Sequence, residues 1–116
     1  MILDHRLYVL KHDKMEAWLK VWERDALPIQ KEILGTFLGM YLTEVGNLNE
    51  VLHLWAYTDM GDRERRRLAL MQDPRWQKYL ADMAELAPFE KPTNQIMRPT
   101  AFSPRLVPEY PQEAAK

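Results

Sequence analysis

The stretch Gly39-Met-Tyr-Leu-Thr-Glu-Val-Gly-Asn-Leu-Asn-Glu-Val-Leu-His-Leu-Trp-Ala-Tyr57 organises the chain. Two alternating runs meet at Gly46-Asn47-Leu48-Asn49, a pattern that predicts a β-hairpin with a short loop. Asn49 would take the left-handed position in a three-residue loop at Asn47 to Asn49, because asparagine tolerates that backbone conformation. The loop fixes the register, which places Val45 opposite Val51, Thr43 opposite His53, Tyr41 opposite Trp55 and Gly39 opposite Tyr57.

This register gives the hairpin two chemically different faces. One face is apolar and suited to being covered by helices: Leu38, Met40, Leu42, Leu52, Leu54 and Ala56. The other face is aromatic or polar: Phe37, Tyr41, Thr43, His53, Trp55 and Tyr57. We therefore expect helices on the first face and an open second face, as in many antiparallel sheets.

The composition is that of one ordinary globular domain. The 116 residues can build a single core, and the hydrophobic and charged fractions of 47% and 28% are typical of soluble proteins. A net charge of −1 gives no electrostatic reason to expect nucleic acid or an anionic membrane as a partner. The absence of cysteine excludes disulfides, thiolate catalysis and zinc–thiolate sites. With no membrane-length apolar run and no signal-peptide pattern, we expect a cytoplasmic location.

The first half of the chain predicts a strand and a long helix before the hairpin. Ile2 to Leu10 alternates and predicts the first strand. Asp13-Lys14-Met15-Glu16 has the spacing of a capping box for an amphipathic helix, with a kink expected near Asp25 to Pro28. Trp18 and Trp22 lie on its apolar stripe, so we interpret both as core residues.

The second half predicts two helical segments and a last strand. Helix caps precede Arg63 to Gln72 and a second segment that starts at Asp73-Pro74, and Thr93 to Thr100 is the last candidate strand. The basic cluster Arg63, Arg65, Arg66 and Arg67 is interpreted as a solvated face paired with Asp62 and Glu64, with phosphate binding as the less favoured alternative.

The order of elements predicts the fold class and the domain limits. Strand, helix, strand, strand, helix, strand is the βαββαβ order of a ferredoxin-like α+β domain, a four-stranded antiparallel sheet with helices on one face. We place this domain at residues 1–100. A proline-rich C-terminal arm follows at 101–116, where four apolar residues could pack on a partner subunit: Phe102, Leu106, Val107 and Tyr110.

The predicted open face suggests an assembly. Asp4, Arg6 and Tyr8 would join the aromatic and polar residues of the hairpin there. An exposed aromatic face usually marks an interface or a ligand site. Two copies packed through it would form a dimeric α+β barrel with a cavity, so we predict a homodimer through the open sheet face.

Several motifs together resemble the NIPSNAP family. They are Arg6-Leu7-Tyr8, Gly46 to Asn49, His53-Leu54-Trp55 with Tyr57, Asp62-Arg63, and Asp73-Pro74-Arg75-Trp76 with Tyr79. The resemblance covers Asp4 to Tyr79 and implies the dimeric α+β barrel superfamily. It implies no particular reaction, because NIPSNAP members have no established general activity. The superfamily contains cofactor-free monooxygenases, isomerases and haem-binding proteins, so function varies on one scaffold.

The candidate site centres on His53. The predicted ligand-binding residues are Arg6, Tyr8, Tyr41, Thr43, His53, Trp55 and Tyr57. His53 is the best catalytic candidate, as an acid or base near neutral pH, while Arg6 could hold an anionic oxygen. In the competing interpretation both are structural polar groups at the barrel interior or the dimer seam. The three histidines fall on different surfaces, so we predict no metal and no cofactor, with haem ligation by His53 as the weaker alternative.

These observations lead to one predicted function and two alternatives. We expect a homodimer of undefined activity that binds a small, partly aromatic or anionic ligand. The alternatives are a cofactor-independent enzyme of the monooxygenase or isomerase type and a purely structural or interaction homodimer. The sequence leaves open whether the protein is an enzyme.

Overall fold

The computed structural model describes residues 1–107. The elements in these residues are β1 Ile2–Leu10, α1 Met15–Val21, a π-helical turn Trp22–Ala26, α2 Leu27–Ile33, β2 Thr36–Leu42, β3 Glu50–Tyr57, α3 Met60–Gln72, α4 Pro74–Leu86 and β4 Phe89–Met97. The strands pair antiparallel in the order β2-β3-β1-β4, which confirms the predicted ferredoxin-like α+β fold. Residues 108–116 of the predicted arm, including Tyr110, lie outside the described residues.

The starts of the two C-terminal helices confirm the predicted caps. Asp59 accepts a hydrogen bond from the backbone N–H of Asp62, and Asp73 accepts one from the N–H of Arg75. The predicted capping box before α1 is wrong. Asp13 adopts a left-handed conformation with φ of 66° and pairs with His12 instead of capping the helix.

The expected irregularity in the first helical region is a π-helical turn, Trp22–Ala26, between α1 and α2. Pro28 follows it within the first turn of α2, where a missing backbone N–H is tolerated. Trp18 and Trp22 are buried, as predicted for core residues. Within residues 1–107, no helix combines the length and apolar character needed to cross a membrane.

The predicted hairpin register is wrong. Leu42 lies opposite Val51 and Met40 opposite His53, so the loop spans residues 43–49 and is longer than expected. Asn49 has no positive φ, and Gly46 supplies the left-handed position instead with φ of 130°. The pairing also shifts by one residue around Leu38, which bulges out of the ladder.

The helices cover the face of β1 and β3 that was predicted to be open, while Met40 lies under the helices as predicted. The helix-covered face carries most of the aromatic and polar set: Asp4, Arg6, Tyr8, Phe37, His53, Trp55 and Tyr57. The open face carries mainly aliphatic residues instead, among them Leu3, Leu7, Leu52 and Leu54, with His5 opposite Leu54. Tyr41 pairs with Leu52 and also lies on the open face. The large rings fill the space between a flat sheet and round helices, which short aliphatic side chains would leave empty.

One end of the open face is covered by the chain itself. Val107 is buried against Met1 and Ala56, and Leu3 and Leu38 pack beside them. The strand β4 begins earlier than predicted, at Phe89, and pairs with β1 along its length. The covering segment therefore returns from the edge strand β4 across one end of the sheet.

Candidate functional site

The floor of the site is an ionic network centred on Asp4. Its side chain is 0% exposed, and its Oδ2 accepts hydrogen bonds from Arg6 Nη1 and from Arg63 Nε, both at 3.1 Å. Its Oδ1 accepts from Asn94 Nδ2 at 3.3 Å. One buried carboxylate thus serves two guanidinium groups, and the cluster keeps an excess of positive charge.

Arg6 also bonds to Tyr8. Its Nε and Nη2 donate to Tyr8 Oη at 3.0 and 2.8 Å, which leaves the Tyr8 hydroxyl hydrogen free to donate elsewhere. Burial alone would lower the pKa of Arg6, but Tyr8 and Asp4 outweigh it and raise the pKa above its ordinary value. Arg6 is therefore a fixed positive charge at the site.

His53 is held as a neutral donor. Its side chain lies next to Tyr8, with ring centroids 4.8 Å apart, and Trp55 Nε1 donates to His53 Nδ1 at 3.3 Å. Burial, followed by repulsion from Arg6, lowers the pKa of His53 from 6.5 to about 3. Since Nδ1 accepts a hydrogen bond, the proton resides on Nε2, which is buried without a partner among residues 1–107. The expected titration near neutral pH is not supported.

Arg67 brings a second charge from α3, one turn beyond Arg63. Burial and then repulsion from Arg6 lower the pKa of Arg67. Across the described part of the chain it forms neither a hydrogen bond nor an ion pair. The sequence interpretation of the arginine cluster as a solvated face is wrong for Arg63 and Arg67, and Arg66 reaches inward to the carbonyl oxygen of Ile33.

These groups line a cavity of about 190 Å³ between the sheet and the helices. Its polar side is formed by Arg6, Tyr8, His53, Gln30 and Arg67. Its remaining wall is aromatic and apolar: Trp18, Trp22, Met71, Trp76, Tyr79, Leu80, Met83 and Phe89. Hydrogen-bond donors on one side and rings on the other suit a small molecule with an anionic group and an apolar body.

The structure brings only part of the predicted site together. Arg6, Tyr8 and His53 line the cavity, whereas Trp55 and Tyr57 share their sheet face but do not reach it. Tyr41 lies on the open face, and Thr43 lies in the hairpin loop, where its hydroxyl donates to the Glu50 carbonyl. The cavity is therefore inside one chain and not at the face predicted to join two copies.

Sequence reasoning missed the cavity residues contributed by the helices. Trp18 and Trp22 were identified, but only as core. Gln30 was not recognised, and Arg67 was named only within the basic cluster, with phosphate binding as the less favoured alternative. A long polar side chain that interrupts an apolar stripe was the available signal.

The fold and the cavity define an α+β protein of ferredoxin-like topology with a ligand-sized space between sheet and helices. The sequence makes the assignment more specific, because residues 3–104 match the model of the NIPSNAP family. The chain belongs to the NIPSNAP family, which confirms the resemblance read from its motifs.

Solved structures agree with this assignment. A NIPSNAP family protein from Agrobacterium tumefaciens is 41% identical, with a TM-score of 0.82 over 90% of this chain and 92% of that chain. A NIPSNAP-like domain protein from Burkholderia xenovorans is 36% identical, with a TM-score of 0.83 over 92% of this chain and 91% of that chain. A protein from Nitrosomonas europaea, described as a candidate antibiotic biosynthesis monooxygenase, is 12% identical with a TM-score of 0.59 over 83% and 95%, and shares the fold alone.

Curated relatives are longer than this chain. The protein NipSnap of Drosophila melanogaster is 30% identical over 89% of this chain, which corresponds to 36% of the fly protein. NipSnap homolog 1 of Danio rerio is 32% identical over 89% of this chain, which corresponds to 36% of the zebrafish protein. The chain thus spans about a third of these relatives' length.

Proposed function

We propose that this protein binds a small organic anion with an apolar body in the cavity between its sheet and helices. The observation that carries the proposal is the arrangement around Arg67. Arg67 is a half-buried guanidinium without a hydrogen-bond or ion-pair partner in residues 1–107, and it lines the same cavity as His53, whose Nε2 is buried without a partner. An unpaired buried donor is costly, and a bound anion would satisfy His53 Nε2 and pair with the charge of Arg67.

Charge favours an anion over a neutral ligand. Arg6, Arg63 and Arg67 cluster around one carboxylate, that of Asp4. The repulsion that lowers the pKa of Arg67 is relieved when a negative group enters. Since His53 is neutral, it adds a hydrogen bond without adding charge.

Size limits the apolar body to about one ring. The cavity measures about 190 Å³, and an apolar cavity of roughly 150 Å³ is known to accept benzene. Trp22, Trp76 and Phe89 supply ring faces and edges around it. A single-ring carboxylate matches both the charge and the space.

Binding is better supported than acid–base catalysis by His53. Its Nδ1 accepts from Trp55, and a pKa of about 3 makes it a poor base. The residues that line the cavity include no carboxylate. An enzyme of the monooxygenase or isomerase type would have to rely on the donors for stabilising an oxyanion, without a protein base.

A titration with benzoate tests the proposal. Trp18, Trp22 and Trp76 line the cavity, so their fluorescence should report binding. We expect benzoate to bind more tightly than the neutral benzamide, and Arg67→Met to weaken benzoate by about tenfold or more, as the loss of a charged hydrogen bond predicts. Arg65→Met on the exposed side of the same helix is the matched control and should bind like the wild type. Equal affinity of Arg67→Met and wild type would contradict the proposal.

We also propose that the protein forms a homodimer through the open sheet face. Leu7, Leu52 and Leu54 are partly exposed there, and Tyr41 and Met97 are 54% and 46% exposed. The described β1 and β3 residues at the centre of this face are apolar apart from His5, which lies opposite Leu54, and Thr93 and Gln95 flank them on β4. A flat, largely apolar surface of this kind is self-complementary in a two-fold dimer.

Sedimentation velocity at micromolar concentration tests the dimer. Leu54→Arg places a charge in the proposed interface and should give a monomer. Leu68→Arg is the control, because Leu68 is 60% exposed on α3, away from the open face. A monomeric wild type, or a Leu54→Arg variant that stays dimeric, would rule out this interface.

A further inference from the structure

Gln30 places a buried amide on the cavity wall formed by α2. Its side chain is 6% exposed, and its Oε1 has no hydrogen-bond partner within residues 1–107. The backbone carbonyl of Gln30 accepts from the N–H of Leu34, so the helix itself is satisfied. A buried acceptor without a partner is costly, and a ligand donor would satisfy it.

The π-helical turn explains why this amide faces the cavity. In a regular α-helix at roughly 100° per residue, Gln30 would lie roughly 80° out of line with Trp22, eight positions earlier. The π-helical turn Trp22–Ala26 accommodates one extra residue. Trp22 and Gln30 then share one side of the helical column, and both line the cavity.

The polarity of Gln30 differs from that of the other cavity groups. Arg6, Arg67 and His53 Nε2 all present donors, which require acceptors on the ligand. Gln30 Oε1 is an acceptor and requires a donor. A ligand that satisfies all of these groups therefore carries an anionic group and a separate hydrogen-bond donor, such as a hydroxyl.

We infer that Gln30 determines specificity and selects a hydroxylated single-ring carboxylate over the same acid without the hydroxyl. The inference rests on the proposed anion-binding function. A site built to hydrogen-bond a hydroxyl discriminates strongly against analogues that lack it, because its buried partner is then left unsatisfied. An apolar residue at position 30 would remove that discrimination.

Isothermal titration with three probes tests this inference: benzoate, 3-hydroxybenzoate and 4-hydroxybenzoate. We expect the wild type to bind one of the hydroxybenzoates about tenfold more tightly than benzoate. Gln30→Leu should bring the ratio of the hydroxybenzoate and benzoate affinities to about one, and Gln30→Met provides a second apolar variant if the first fails to fold. Gln72→Leu, on an exposed position of α3, should retain the wild-type preference.

The outcomes separate the inference from the function on which it rests. If the wild type binds all three acids equally, or if Gln30→Leu keeps the preference, the role of Gln30 is refuted and anion binding stands. A fourth probe, 4-methoxybenzoate, can accept a hydrogen bond but cannot donate one. If it binds more tightly than both hydroxybenzoates, the amide presents its NH₂ group and the assigned polarity is wrong. If no carboxylate binds the wild type, the proposed function itself fails and the inference with it.

Discussion

The two faces of this sheet are built from the same strands but differ in burial and in chemical character. Along β3, Trp55 is 1% exposed beneath the helices, while its neighbour Leu54 remains partly exposed on the other side. The covered face buries rings and an ionic network, and the open face presents aliphatic side chains. Polar groups can be buried only where partners are supplied, and Asp4, Arg6 and Arg63 supply them to one another.

The largest difference between the faces should appear on truncating their central residues. Trp55→Ala removes a fully buried ring and the donor to His53, so we expect it to lower the free energy of unfolding by about 4 kcal/mol. Leu54→Ala should cost the folded chain about 1 kcal/mol, because its side chain is partly solvated. Urea unfolding measures both, and dependence of the Leu54→Ala midpoint on protein concentration reports any interface. Equal losses would show that the faces are not distinct.

The ionic network should give the next largest effect. Asp4→Asn keeps the shape of the side chain but leaves Arg6 and Arg63 without a carboxylate, which should cost about 3 kcal/mol. Asp82→Asn breaks an exposed pair with Lys78 and should change stability much less. If both substitutions lowered the free energy of unfolding equally in urea at pH 7, the buried network would stabilise the fold no more than an exposed ion pair does.

The buried histidine predicts a pH dependence. The folded-state pKa of His53 is about 3, below its ordinary value of 6.5, so only the unfolded chain binds this proton between those two pH values. Stability should therefore fall as the pH drops from 6.5 towards 3, and His53 should have no such effect above 6.5. Between pH 6.5 and 5 we expect the wild type to lose about 1–2 kcal/mol relative to His53→Gln.

A matched substitution isolates that effect from the titration of carboxylates. His12 is exposed, with 86% of its side chain in solvent, so His12→Gln should follow the wild-type pH profile. Chemical unfolding at several pH values gives the three profiles. Parallel profiles for wild type and His53→Gln would mean that the histidine is not held neutral in the folded state.

The sequence predicts the order of the elements better than it predicts which face of the sheet the helices cover. Alternation on β1 and the caps at Asp59 and Asp73 are local signals, and they predicted the element order and the fold correctly. The face assignment was wrong because it depends on which face the helices cover, which is a tertiary property: Arg6, His53 and Trp55 share one face as predicted, but the helices pack on that face. A three-residue loop separates aliphatic from aromatic residues. This separation does not show which face is buried, because helices can cover either kind of face.

The candidate site was only partly predictable for the same reason. Arg6, Tyr8 and His53 share a face by strand periodicity, and the structure keeps them together. Arg67 and Gln30 come from helices whose rotation about their own axes depends on packing and, for Gln30, on the π-helical turn. Tyr41 lies on the open face as predicted, but the bulge at Leu38 separates it from Phe37 and from the candidate site.

That bulge permits a smaller test within a single strand. Phe37 and Tyr41 are four residues apart, and a regular strand would put both on one face. In the structure Phe37 packs against Trp22 and Trp55 under the helices, whereas Tyr41 lies over Gly39 on the open face. Phe37→Ala should therefore cost about 1.5 kcal/mol, and Tyr41→Ala less than about 0.5 kcal/mol in the monomer. Because the two variants remove rings of nearly equal area from the same strand, equal losses in urea unfolding would indicate the uninterrupted register, and a reversed order would overturn the assignment of faces.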